Sequence, residues 1–173
     1  MPPPGAAAFL GKYRGTVVNN VDPLQLGRIQ ALVPDVSAVA LTSWCVPCVP
    51  IAGVQAGMFT VPPIGAGVFI EFEQGNPDYP ILAGCFWSSP ADVPTLAHTV
   101  PPSLFGITLQ TTLQNGIVVS DAPGPDGGIM LKSTAGATII VNDTGIYLRN
   151  GKGAAIVLSG PSVTINEGAM VIT

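Results

Sequence analysis

The sequence predicts an all-β chain in two parts, an N-terminal OB-fold barrel followed by a C-terminal trimeric, intertwined β-helical needle. Three observations carry this expectation. Helical periodicity is almost absent, and short segments rich in Val, Ile, Thr and Phe are interrupted every 6 to 12 residues by Gly, Pro or Asn-Asp. Five or six such segments fall within about 80 residues of the first half, which suits a small barrel of the OB kind. Glycines then recur at 128, 136, 145, 153, 160 and 168, with gaps of 8, 9, 8, 7 and 8 residues.

The strand segments of the first half are 12–19, 27–33, 43–47, 57–60, 67–73 and 81–86. The clearest is 67–73: Val68, Ile70 and Phe72 share one face, while Phe69, Glu71 and Glu73 share the other. GNPDYP (75–80) is a turn, because Asn-Pro and Asp each favour one for a different reason. Residues 88–103 hold four prolines and no periodic pattern, and they read as an extended linker. Two further strand segments, 105–110 and 116–120, precede the glycine-proline turn DAPGPDGG (121–128). The expected divisions are an N-terminal extension (1–10), an OB domain (11–87), a Pro-rich linker (88–104) and a β-helical region of octad-like repeats (105–173).

Between the recurring glycines sit apolar pairs at alternate positions: Ile129/Leu131, Ile139/Val141, Ile146/Leu148, Ile156/Leu158, Val163/Ile165 and Met170/Ile172. Most residues of the other parity are polar or small. Each repeat is one short strand and a turn, and it offers two inward side chains. Such a unit is stable only against neighbours. Octads are too short to turn the corners of a single-chain solenoid, so three chains around a common axis are expected to bury the inward face. The first five pairs are the expected trimer core. Ordinary hairpins packed on the first domain are the alternative, and they do not require so regular a spacing.

Composition points the same way. Charged residues are 9% of the 173 and apolar residues 47%, which leaves a surface poor in charge and suited to cover by other chains. The net charge of −4, with six dispersed Lys and Arg, argues against nucleic acid and anionic membrane as partners. Residues 36–70 carry no charge, but four prolines and four glycines break them into pieces of strand length, so no spanning helix is expected. MPPPGAAAFLGKYRG has no basic leader and five consecutive apolar residues, which is not a secretory signal.

Three cysteines do not make a disulfide framework. Cys45-Val-Pro-Cys48, with Cys85 and His98, would supply three sulfurs and one nitrogen to zinc. The pair lies in a strand-like run, where positions i and i+3 point to opposite faces, so buried thiols are expected and no metal or cofactor. His98 reads as solvent-facing. The linker's titratable residues are Asp92 and His98, and no carboxylate pair stands there to act as acid and base. Catalysis is not expected.

The run from Gly11 to Trp87 resembles the OB-fold of baseplate spike proteins of contractile injection systems, a family that includes phage baseplate assembly protein V and the valine-glycine repeat spikes of type VI secretion. The resemblance rests on Asp22-Pro23, Gly27-Arg28, Trp44, Pro63-Ile64-Gly65, the strand from Phe69 to Phe72, Gly75-Asn76-Pro77 and Pro80-Ile81-Leu82-Ala83-Gly84, in unbroken order. The octads match the second half of that family, a trimeric β-helix. Departing from some relatives, the chain is expected to carry no lysozyme insertion between the two parts, no preceding hub domain and no His-X-His iron site.

The resemblance implies a structural puncturing spike on the axis of a contractile tail, not an enzyme. It would be a homotrimer that joins a hub protein to the tip, located in the virion or particle baseplate and assembled in the bacterial cytoplasm. The membrane enters only as the pierced target. The last octad runs apolar with no charge after Glu167. In a threefold prism this leaves Met170, Val171, Ile172 and Thr173 at an apex, an expected seat for a small tip-capping protein. The resemblance points to a cone of the Pro-Ala-Ala-Arg-repeat type there. Two other functions are compatible with the fold. One is an OB-fold ligand module for oligonucleotide or glycan, using Phe69, Phe72, Phe86 and Trp87 beside Lys12, Arg14 and Arg28. The other is a trimeric adhesin or tail fibre.

Overall fold

The computed structural model describes residues 8–166 and 169–172, with Val171 as backbone alone. Most of the expected N-terminal extension, together with Thr173 and the Val171 side chain of the expected tip, lies outside the described residues. The chain separates into two units, Met1–Pro90 and Ala91–Thr173. Regular structure among the described residues is β-strand with four short 3-10 turns. No helix among them is long and apolar enough to cross a membrane.

The first unit is built on a five-stranded sheet. Its strands are β1 (Tyr13–Asn19), β2 (Gln30–Leu32), β3 (Val46–Pro47), β6 (Gly67–Phe72) and β7 (Pro80–Phe86), in the order β2-β1-β6-β7-β3. β1 pairs antiparallel with both β2 and β6, β6 pairs antiparallel with β7, and β3 joins β7 in parallel. An antiparallel bridge between Ile29 and Cys45 links the two outer strands and closes the barrel. The alternation of β6 sends Val68, Ile70 and Phe72 inward, where they pack with Val17, Ile29, Ala31, Val33, Cys45 and Leu82. At one end Phe9, Tyr13 and Phe72 form an aromatic cluster with centroids 5.7 to 6.0 Å apart.

Two segments of this unit differ from the sequence expectation. The segment 57–60 is not a strand of the barrel. A small hairpin of β4 (Ala52–Gly53) and β5 (Ala56–Gly57) stands there instead, turned by Gln55 at φ +55°. Its small residues carry no alternating pattern to read. The proline-rich segment is also more ordered than an extended linker. It forms 3-10 turns at Pro90–Asp92 and Thr95–Thr99, and Leu96 is buried. The Gln110 side chain accepts from the Leu96 N–H at 2.8 Å, and the missing side chain of Gly116 makes room for Leu96.

The second unit is one eight-stranded antiparallel sheet: β8 (Gly106–Gln110), β9 (Gly116–Ser120), β10 (Gly128–Lys132), β11 (Thr138–Asn142), β12 (Gly145–Arg149), β13 (Ala155–Ser159), β14 (Ser162–Ile165) and β15 (Met170–Ile172). Strands pair strictly in sequence order, so every ladder of this sheet lies within one chain. The sequence expectation was an intertwined needle, and within it each chain here contributes a complete meander of its own. A strand plus a turn per octad is equally compatible with a meander.

Gly128 opens β10 at φ +78°, and a Cβ there would stand 2.1 Å from the carbonyl oxygen of Val141. Only glycine combines that conformation with that approach. Gly128→Ala should therefore lower stability by more than about 2 kcal/mol, measured as the denaturation midpoint. An unchanged midpoint would show that this turn relaxes freely.

Candidate functional site

In a five-residue strand the side chains alternate between the two faces, and consecutive strands of this meander hold their registers without a slip. Two continuous columns result. One runs Ile107, Val119, Ile129, Val141, Ile146, Leu158, Val163 and Ile172, each paired with the next. The other runs Leu109, Ile117, Leu131, Ile139, Leu148, Ile156, Ile165 and Met170. All ten residues expected in the trimer core, and Met170 and Ile172 of the expected tip, lie in these columns.

Ile107, Leu109, Ile117 and Val119 extend the columns and were not among the expected core residues. Their alternation within 105–110 and 116–120 was the available signal, but the glycine octads begin only at 128. Fourteen of the sixteen side chains are 37 to 53% exposed, while Val163 and Ile165 are half-buried. No charged residue stands in either column. Seven strand spacings of about 4.8 Å make this apolar face roughly 34 Å long. A contiguous patch of that length exceeds what a monomer ordinarily exposes to water.

The opposite face has a mixed central column of Thr108, Val118, Met130, Ile140, Tyr147, Val157 and Thr164. It is flanked by glycines and polar residues, and Arg149 stacks over the Tyr147 ring at 5.0 Å. Hydrogen bonds between turns brace the lateral edges. Thr134 N–H donates to Asn115 Oδ1 at 3.0 Å, Gly124 N–H to Asp143 Oδ2 at 3.0 Å, and Ala155 N–H to Asn166 Oδ1 at 3.0 Å.

In the barrel, the turn, strand and tryptophan singled out in the sequence come together. Asp22 accepts backbone hydrogen bonds from Leu24 (3.0 Å), Leu26 (2.8 Å) and Arg28 (3.3 Å), and side-chain bonds from Arg28 Nε (3.0 Å) and Nη2 (2.6 Å). The guanidinium lies 5.3 Å over the Trp44 ring. The bidentate Arg28 and the backbone N–H groups hold the Asp22 carboxyl well below the usual carboxylate range. Because the folded value is depressed, the stabilisation is present above the unfolded value of about 3.9 and is lost as pH falls through the folded one. Asp22→Asn should therefore destabilise the barrel at pH 7. The gap to the parent chain should close progressively below about pH 4, read from denaturation at each pH. A gap that stays constant through acid would contradict the ion pair's role.

Beside this cluster, a mostly apolar cleft of about 560 Å³ is lined by Leu26, Arg28, Val46, Ile51, Met58 and Phe59, among others. Cys45 is fully buried and burial pushes its thiol up, whereas Cys48 and Cys85 are exposed. The expectation that both thiols of the Cys-X-X-Cys pair are buried is corrected for Cys48. Three residues further along an extended chain, it faces the other way. Among the described residues no group of three His, Cys, Asp or Glu is placed to hold a metal.

Of the aromatics considered for ligand stacking, Phe72 is in the core and Trp87 is exposed. Phe69 and Phe86 pack at 4.9 Å, and Arg14 covers them at 6.0 and 5.0 Å. Lys12 is paired with Glu71. This outer face of the sheet is thus occupied by its own cation.

Residues 13–87 match the family described as the type VI secretion system/phage-baseplate injector OB domain. Residues 106–171 match the phage baseplate V C-terminal trimerisation domain. No curated protein matches the chain.

Proposed function

Because the chain belongs to the phage baseplate V family, with its OB domain followed by its trimerisation domain, we propose that it is the puncturing spike on the axis of a contractile tail. The coarser role follows from membership: a structural baseplate protein of a virion tail that trimerises through its C-terminal domain. The family's role is structural rather than enzymatic.

One observation carries the finer reading. The trimerisation domain presents an uncharged aliphatic face of two full columns, with the polar and charged residues on the other face and in the turns. Three such faces turned inward form a dry core, and the sheets become the sides of a narrow prism. A shaft of this kind resists bending because its backbone ladders run along the whole length of each side. The ten expected core residues, Ile129 to Ile165, line the axis in this arrangement.

The OB unit meets the hub protein. Its uncharged hairpin and mostly apolar cleft, with Ile51, Val54 and Phe59 largely exposed, support that assignment. Met170 and Ile172, half-exposed on the edge strand β15, support a seat for a tip-capping protein. Assembly in the bacterial cytoplasm, before particle release, belongs to the same proposal.

Cryo-electron microscopy of particles carrying a tagged copy of this chain tests the placement. Density on the tail axis below the tube is the expected result. Density at the periphery of the baseplate would overturn it in favour of an adhesin or fibre.

A further inference from the structure

The lateral edges of the second-unit sheet differ in charge. The turns after β8, β10 and β12 lie along one edge, and those after β9, β11 and β13 along the other. Lys132 at the end of β10, Arg149 at the end of β12 and Lys152 in the turn that follows all stand on the first edge. Asp121 and Asp126, in the turn after β9, and Asp143, in the turn after β11, stand on the second. Among the described residues from Gly106 onward, no acid is on the first edge and no cation on the second. Glu167 lies outside the described residues.

None of the six charges enters an ion pair within the described chain, where the pairs are Lys12–Glu71 and Arg28–Asp22. The opposite signs also stand at matching levels. The turn with Asp121 and Asp126 enters β10, the strand of Lys132; Asp143 is in the turn that enters β12, the strand of Arg149. Each acid is therefore about half a strand spacing, roughly 2.4 Å along the sheet, from the level of a cation on the far edge.

We propose that in the homotrimer the cationic edge of each sheet lies against the acidic edge of the next copy, and that this pairing sets the level at which the three sheets align. The inference rests on the trimeric prism described above. Around a threefold axis each first edge meets a neighbour's second edge and never its own kind, so one complementary contact is used three times and closes. The apolar columns supply contact area without fixing the level, because they repeat at every strand. A slip by one hairpin preserves aliphatic contact but leaves one of the two charged levels unmatched. Charges at the rim of an apolar core act through register and association rate more than through net affinity.

A charge-swap cycle on the full chain tests this, with trimer formation after dilution from denaturant followed by native mass spectrometry. Lys132→Glu alone, and Asp121→Lys with Asp126→Lys, should each slow trimer formation about tenfold at low salt. Combining them should restore the parent rate to within about twofold. Combining the same aspartate changes with Arg149→Glu, two strands or roughly 10 Å away, should not restore it. At about 1 M salt all variants should converge, since the screening length falls to about 3 Å. Single reversals that assemble at the parent rate in low salt, or a combined swap no faster than either, would overturn the edge pairing while leaving the trimer intact. A parent chain that stays monomeric would instead overturn the prism itself.

Discussion

Replacing Ile146 with aspartate should abolish the trimer. Ile146 sits in the middle of one aliphatic column, between Val141 and Leu158 in register, and no polar side chain stands in either column. On a threefold axis the substitution places three carboxylates together without a partner. Burying an unpaired charge costs several kcal/mol per group, and symmetry repeats the penalty three times. Ile156→Asp, in the other column, should do the same. Thr164→Asp, on the opposite face of β14, should leave the trimer in place. Light scattering on the eluted protein reads the outcome. If Ile146→Asp and Thr164→Asp leave equally stable trimers, the inward face has been assigned to the wrong parity.

Truncating Ile70 to alanine should cost the barrel about 2 to 5 kcal/mol. Ile70 is fully buried in the central strand β6, opposite Tyr13 of β1 and Leu82 of β7. Both flanking ladders hold the backbone in place, so the surrounding core cannot collapse into the space left behind. Leu26→Ala, at a side chain 59% exposed, should change stability by less than about 0.5 kcal/mol. Urea denaturation followed by Trp fluorescence checks the pair. Equal midpoints for the two variants would contradict the barrel core.

The parts legible in the sequence were those in which side chains alternate. β6 declares its inward face through Val68, Ile70 and Phe72, and the meander declares its apolar columns through paired aliphatics at every octad. The hairpin of β4 and β5 was not legible, because Ala-Gly pairs carry neither bulk nor alternation. The turn at 95–99 was hidden for a related reason. A single leucine among prolines is no pattern, and its burial depends on Gly116, a residue seventeen or more positions from the turn. Pairing within or between chains was not legible either, since the octad period encodes strand and turn lengths without naming the partner strand. The Asp22–Arg28–Trp44 cluster was visible as motif residues, yet their convergence required the barrel to close at Ile29 and Cys45.

The mass of the native particle in solution tests the central claim most directly. Size-exclusion chromatography with light scattering at micromolar concentration should give three times the 17.6 kDa of one chain, with the apolar columns hidden from hydrophobic dyes. A stable, well-folded species at 17.6 kDa under the same conditions would contradict a prism built on those columns.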